Sequence, residues 1–324
     1  MPAYNPGEII HRALEGIARS TYPCDIYIVD DASNPPVAET VGALPRTHII
    51  RLEQNGGPAT ARNVGFTTIL SKNYDFVALL DSDDVAHPER VATQVAFLDQ
   101  HPEFGAVGGW ARVTEETNGA VLYIARTPDD PDVFRRTLYY NAAIVNSTLM
   151  IKTDVLRAVG VYSTRYPVAE DYELLRRIAK QYAVTNIPSV LIDYQRSTGG
   201  VSLRRRRRQL FDRLRIQLKY FKIWEPNAWM GVGKTLLLFL VPVALIAKIK
   251  AYEDRGMRRS RRRLTAQDRA KASREAQDGC PRWRRGDDFR SSAAYRRRGQ
   301  AARLSLYVDH HRRGGGRVLR ASAL

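Results

Sequence analysis

The chain has 324 residues, enough for one large domain or two small ones. Its 44% hydrophobic and 26% charged content is a globular balance that excludes a collagen-like, disulfide-scaffold or wholly disordered chain. The formal charge of +17 is gathered at one end, since residues 254–324 hold 21 Lys and Arg against 7 Asp and Glu, and the first 253 residues hold 30 against 27.

Two cysteines, Cys24 and Cys280, are too few for a disulfide framework and fit a reducing compartment. The chain opens Met1-Pro2-Ala3-Tyr4-Asn5, without the basic region and apolar run of a signal peptide. Residues 8–17 place Ile10, Ala13, Leu14 and Ile17 at helical spacing and predict an amphipathic helix. Ile26-Tyr27-Ile28-Val29 predicts a buried strand that ends at Asp30-Asp31-Ala32-Ser33. A second strand is expected over residues 48–52. A helix over 57–70 follows the turn signal Asn55-Gly56-Gly57. Residues 76–80 predict a further strand, which stops at Asp81-Ser82-Asp83-Asp84. Pro88 then sits where a helix begins, followed by Val91, Val95 and Leu98.

After residue 100 the pattern loosens. Residues 106–109 and 147–151 read as strands, 170–182 as a helix, and 190–194 as the last strand. From Leu203 the chain reads as helical and basic, with Arg204 to Arg208 consecutive. The apolar run 236–247 is shorter than the ~20 residues of a spanning helix, which makes it an interfacial or buried segment. No internal repeat is found.

Strands alternating with helices predict an α/β fold with a mostly parallel sheet covered on both faces. Ligands of such sheets lie beyond the carboxyl ends of the strands. Both acidic clusters fall there. Asp81 and Asp83 have the D-x-D spacing that holds a hard divalent cation while substrate phosphates supply other ligands. The alternative is a solvated loop capping the next helix. Asp30 and Asp31 read either as acceptors for a base or ribose, or as an Asx turn into Ser33-Asn34-Pro35. Arg62, one turn inside its helix, reads as a diphosphate partner or a solvated cation. Glu170-Asp171 opens a helix, where acids are stabilised by the dipole; the functional reading is a general base. Gly231-Val232-Gly233-Lys234-Thr235 lacks the first glycine and the preceding strand of a phosphate loop, so no phosphate role is assigned. The six histidines show no metal spacing.

Taken together and in order, Pro2-Ala3-Tyr4-Asn5, Val29-Asp30-Asp31-Ala32-Ser33, Asn55-Gly56-Gly57, Ala61-Arg62-Asn63, Asp81-Ser82-Asp83-Asp84 and Glu170-Asp171-Tyr172 resemble glycosyltransferase family 2, inverting enzymes of the GT-A fold. The resemblance covers about residues 1–200. It implies a Rossmann-like sheet and a nucleotide-sugar donor, a UDP-sugar foremost. It implies nucleotide contacts from Pro2, Tyr4, Asp30, Asp31, Arg62, Asp81 and Asp83. It also implies a Mn²⁺ or Mg²⁺ ion on Asp83 and Asp81, and Asp171, beside Glu170, as catalytic base. Residues 147–160 resemble the acceptor side, and Tyr194-Gln195-Arg196 with Gly200-Val201-Ser202 the closing loop. The implied acceptor is a cell-surface glycan or a lipid-linked molecule, at the inner face of the cell membrane.

The family has an apolar strand before the Pro-Ala-Tyr-Asn loop, and this chain starts at that loop. The expectation is an upstream start or a gene fragment, with neighbouring strands short of a partner and a gap in the core. The expected organisation is therefore a transferase domain at 1–202 and a basic, apolar helical segment at 203–253 that lies on a membrane or packs on the domain. An Arg-rich tail follows at 254–324, disordered or frame-shifted. Two rival readings remain at this level. One is a binding-only or inactive fragment of the same fold. The other is a protein whose tail binds nucleic acid non-specifically through phosphate charge; no specific nucleic acid is expected.

Overall fold

The computed structural model describes residues 1–116, 119–196 and 206–241, with the backbone of Leu304–Ser305. The Arg-rich tail, the loop Gly200-Val201-Ser202 and the end of the apolar run beyond Val241 otherwise lie outside the described residues.

Two sheets carry the fold. The first joins β1 (Pro2–Ala3), β2 (Ile26–Asp30) and β3 (Thr47–Arg51), all parallel, in that order. The second has the order β10 (Leu304–Ser305), β4 (Phe76–Ala78), β8 (Met150–Lys152), β6 (Phe104–Glu115), β9 (Ala183–Arg196) and β5 (Val85–Ala86). Strand β7 (Val121–Ala125) hairpins onto β6. The first sheet meets the parallel expectation, and the second is mixed. Antiparallel pairs join β4 to β8, β8 to β6, β6 to β7 and β9 to β5. Connection length accounts for the β6–β7 pair alone, since the other antiparallel pairs join strands far apart in sequence. A short turn after β6 permits only an antiparallel return, whereas β6 and β9, separated by a long crossover, run parallel.

The chain start is also different from expectation. Pro2 and Ala3 are a strand rather than a loop. The Met1 amine donates to the Tyr27 carbonyl at 2.7 Å, and the Val29 and Asp31 amides donate to the Met1 and Ala3 carbonyls. Beside this short strand, a crevice open to solvent is lined by Tyr27 and Val29 of β2, Gly65 and Phe66 of α3 (Pro58–Leu70), and Val77 and Leu79 around β4.

The helices follow the predicted faces. Helix α1 (Ile9–Ala18) buries Ile10, Ala13, Leu14 and Ile17. Helix α2 (Val37–Val41) is short. Helix α3 starts at Pro58, whose missing N–H suits a first turn, after Gly57 at φ 82°. Helix α4 (Arg90–Gln100) buries Val91, Val95 and Leu98. Helices α5 (Pro131–Thr137) and α6 (Thr153–Val159) precede α7 (Glu170–Gln181). The core is one cluster around Phe66, Phe134, Ile151 and Leu174 and a second around Ile10, Ile28, Val107 and Met150.

Strand β6 is longer than its predicted four residues because Gly108 and Gly109 mask it. An added Cβ would lie 2.5 Å from Asn186 Oδ1 at Gly108 and 2.3 Å from Leu191 Cδ1 at Gly109. Glycine is demanded there by packing against β9, at the cost of β propensity. Helices α8 (Arg206–Lys219) and α9 (Pro226–Leu240) fulfil the helical expectation after residue 203. Gly231 to Thr235 lies inside α9, not in a loop.

Candidate functional site

The loop Asp81-Ser82-Asp83-Asp84 leaves the end of β4, as its apolar lead-in requires. Its approach is fixed by backbone pairing of Leu79 to Leu149 at 2.8 Å and by the Asp81 amide, which donates to Ser147 Oγ at 3.2 Å. Behind it, the buried Arg90 donates to the Leu79 carbonyl at 2.6 Å and to Gln94 Oε1 at 3.1 Å. Burial lowers the Arg90 pKa to about 10, against the opposing pull of Asp84.

Arg62 joins this loop to α7. Its Nη2 lies 2.6 Å from Asp81 Oδ1 and its Nη1 lies 3.2 Å from Glu170 Oε1, with the guanidinium 5.9 Å above the Tyr162 ring. The side chain is 9% exposed. Burial opposes its charge, but Asp81, Tyr162 and Glu170 outweigh burial and hold it protonated. Next along α3, Asn63 exchanges two 2.9 Å hydrogen bonds with the Tyr162 backbone, and the Tyr162 hydroxyl reaches Asn146 Oδ1 at 3.1 Å. Two residues of one helix thus tie three distant segments together.

Glu170 and Asp171 open α7, with Glu173 in the same first turn. Burial, then the neighbouring Asp171, raises the Glu170 pKa to about 7. Burial also raises Asp171, whose Oδ1 accepts from the Tyr172 amide at 2.7 Å. A carboxylate raised in this way is a stronger proton acceptor once ionised.

The first acidic pair builds loops. Asp30 is fully buried and accepts from the Ser33 and Val37 amides and from Arg51 at 2.7 Å. Burial pushes its carboxyl up, and these hydrogen bonds outweigh burial and hold it below the usual range. Asp31 accepts from the Gly56 and Gly57 amides at 2.7 and 2.8 Å, so it pins the Asn55-Gly56-Gly57 turn that opens α3. The Asn5 amide donates to Ser33 Oγ, and Asn5 Oδ1 accepts from the Asn34 amide, which leaves Tyr4 56% exposed beside that loop. Pro2, in β1, lines the same crevice as Arg62 and Leu80.

The structure therefore brings Arg62, Asp81, Glu170 and Asp171 into one charged junction, with Asp83 on the same loop. Both carboxylate oxygens of the buried Asp30 are engaged by Ser33, Val37 and Arg51. Asp81 is held low, because Arg62 outweighs its burial. Asp83 is raised by burial and then by Asp81. Asp84 is raised to about 8 by burial and then Asp81; its Oδ1 accepts from the Gln195 amide at 3.0 Å and its buried Oδ2 has no hydrogen-bond partner among the described residues. A divalent cation would relieve this crowding, and two carboxylates with diphosphate oxygens are a sufficient hard-ligand set. Among the described residues no group of three His, Cys, Asp or Glu is arranged to hold a metal unaided. The residues thus fit a cation that a diphosphate helps to bind.

Sequence reasoning missed Asp84, Arg90, Tyr162 and Asn146. Asp84 was visible in the acidic run. The others carry no local signal, since each matters through a partner from a distant segment.

Residues 1–160 match the family model for Glycosyl transferase family 2. An uncharacterized glycosyltransferase of Haemophilus influenzae is 26% identical over 60% of this chain, which spans 63% of that relative's length. The uncharacterized glycosyltransferase YwdF of Bacillus subtilis is 30% identical over 65% of this chain and 80% of its own. The amylovoran biosynthesis glycosyltransferase AmsE of Erwinia amylovora is 27% identical over 61% of this chain and 74% of its own. Among solved structures, S. aureus TarS 1-349 in complex with UDP-GlcNAc matches with a TM-score of 0.53 and 18% identity, over 72% of this chain and 70% of TarS 1-349. The mannosyltransferase PcManGT of Pyrobaculum calidifontis, in complex with GDP-Man and Mn²⁺, matches with a TM-score of 0.52 and 16% identity, over 85% of this chain and 78% of its own. The fold is the GT-A fold of these two structures.

Proposed function

The chain belongs to glycosyltransferase family 2, and from that premise we propose that it moves a sugar, with inversion, from a nucleoside-diphosphate donor to a glycan or lipid-linked acceptor. The observation that carries the reading is the junction at Arg62, which links the Asp81 loop to the Glu170-Asp171 helix start within one buried network. A UDP-sugar is the first donor to test. The acceptor class draws support from AmsE, which is named for amylovoran biosynthesis.

The reaction is a single displacement at the sugar C1. Asp171 takes the acceptor hydroxyl proton while the acceptor oxygen bonds to C1 and the C1–phosphate oxygen bond breaks. One displacement inverts C1, and no second carboxylate nucleophile is needed. Asp83 and Asp81 would hold Mn²⁺ or Mg²⁺, which when bound neutralises the diphosphate leaving group. Arg62 adds positive charge beside the nucleotide and orients Asp81. Tyr4 flanks the base. Asp31 positions the glycine turn, and Asp30 acts at one remove by shaping the loop around Ser33.

Asp171→Asn tests the assignment. It is expected to abolish sugar transfer while UDP binding stays within about twofold, because the base touches the acceptor and not the nucleotide. Transfer at the unaltered rate would remove Asp171 from the role.

A further inference from the structure

We propose that the outer faces of α8 and α9 form a docking surface for an anionic lipid bilayer. The inference is independent of the transfer reaction and rests on which faces the fold covers.

Helix α9 is apolar over most of its surface, with Asn227, Lys234 and Thr235 as its polar side chains. Its inner face is fixed to the domain: Ala228, Gly231 and Thr235 are buried, an added Cβ at Gly231 would lie 2.1 Å from the Tyr139 carbonyl oxygen, and Thr235 Oγ1 lies 2.8 Å from Gln217 Oε1. Its outer face has nothing over it among the described residues. Trp229, Leu236, Leu237 and Leu240 stand there at 57%, 50%, 61% and 80% exposure. A helix apolar over most of its surface needs cover on both sides. Helix α8 adds Phe211 and Leu218, two turns apart and both more than half exposed, and the corner between the helices adds Ile223 and Trp224, at 69% and 77%. Ten of the sixteen exposed large apolar side chains in the described residues lie between 211 and 240, which marks an interaction surface rather than ordinary scatter.

The charge selects the occupant. Residues 206–241 contain eight Lys and Arg against two acids. One acid, Asp212, is buried and paired with Arg208 and Arg215, and the other, Glu225, caps α9. The exposed charges that pair with no acid among the described residues, Arg207, Lys222 and Lys234, are cationic. A second copy docked symmetrically would set these cations against themselves. An anionic lipid surface meets both demands, with leucines in the acyl boundary, Trp224 and Trp229 at headgroup depth and cations on the phosphates. The helices are held in place for this. Arg206 caps the α9 end through the Leu238 and Val241 carbonyls, and Trp229 Nε1 donates to the Ile223 carbonyl at 2.9 Å.

Flotation of the full chain with phosphatidylcholine–phosphatidylglycerol vesicles tests this at about 0.5 M NaCl, where the Debye length is only about 4 Å and binding through tail charge is suppressed. The unaltered chain is expected to float. The variant Trp224→Ser/Leu237→Ser/Leu240→Ser should lose more than about tenfold in vesicle partitioning, since it withdraws three large apolar side chains from the lipid. A second readout needs no disruptive change: brominated acyl chains should quench the tryptophan emission of the unaltered chain, and Trp224→Phe/Trp229→Phe should remove that quenching. Equal flotation of the triple variant, or no quenching, overturns the proposal. So does a stable dimer of the unaltered chain that the triple variant converts to monomer, since the face would then belong to a second copy.

Discussion

Arg62 Nη2 lies 2.6 Å from Asp81 Oδ1, an ion pair that fastens helix α3 to the loop after β4. The same guanidinium reaches Glu170, so its removal leaves the buried Glu170 and the partly buried Asp81 uncompensated. Arg62→Ala is expected to cost about 3–5 kcal/mol of stability, the range for breaking a buried pair from one side. Arg62→Lys should restore part of that and still bind nucleotide more weakly, since an ammonium cannot fork to both acids. Thermal denaturation and UDP titration of the two variants measure this. Melting of Arg62→Ala within a degree of the unaltered chain would show that the network contributes nothing.

Glu170 sets a pH dependence. Its pKa is raised from 4.5 to about 7 in the folded chain by burial and then by Asp171. The folded value lies above the unfolded one, so its contribution is full below about pH 4.5 and is lost as pH rises through 7. Relative to Glu170→Gln, the unaltered chain should lose up to roughly 3 kcal/mol of stability between those limits. Urea denaturation of both proteins at pH 5 and pH 7.5 measures the difference. A gap that does not change with pH contradicts the shift.

Two glycines of α9 should respond in opposite directions. At Gly231 a Cβ would strike the Tyr139 carbonyl oxygen, whereas at Gly233 it meets nothing within 4 Å. Gly231→Ala is expected to destabilise by about 1–3 kcal/mol as α9 is forced off the domain. Gly233→Ala should stabilise by up to about 1 kcal/mol through helix propensity. Thermal melts of the pair decide it, and matching shifts would mean that α9 is not docked in this way.

Much of this arrangement was legible before the structure. Strands β2 and β3, helices α1, α3, α4 and α7 and both acidic loops follow from periodicity and turn residues, because each is encoded within its own segment. The junction at Arg62 was legible only as a set of separate motifs, since its contacts cross 19 and 108 positions of sequence. Asp30 shows the opposite limit. The same Asp-Asp pair fits a base reader or an Asx turn, and the Ser33, Val37 and Arg51 contacts that hold Asp30 in the loop are not visible in the sequence. Strand β9 was under-read because Pro188 and the register shifts near Trp110 interrupt its pattern. The mixed second sheet was invisible, since strand direction depends on how connections close and not on the residues of the strands.

The most direct test of the central claim is calorimetric titration of UDP into the full chain, with and without Mn²⁺, alongside Asp83→Ala. Asp83 is half-buried and forms no ion pair among the described residues, so this variant is expected to melt with the unaltered chain. The account predicts UDP binding that strengthens at least about tenfold with Mn²⁺, a difference of about 1.4 kcal/mol, and loses that gain in Asp83→Ala. A folded chain that binds no UDP, or an Asp83→Ala variant that responds to Mn²⁺ as the unaltered chain does, would contradict it.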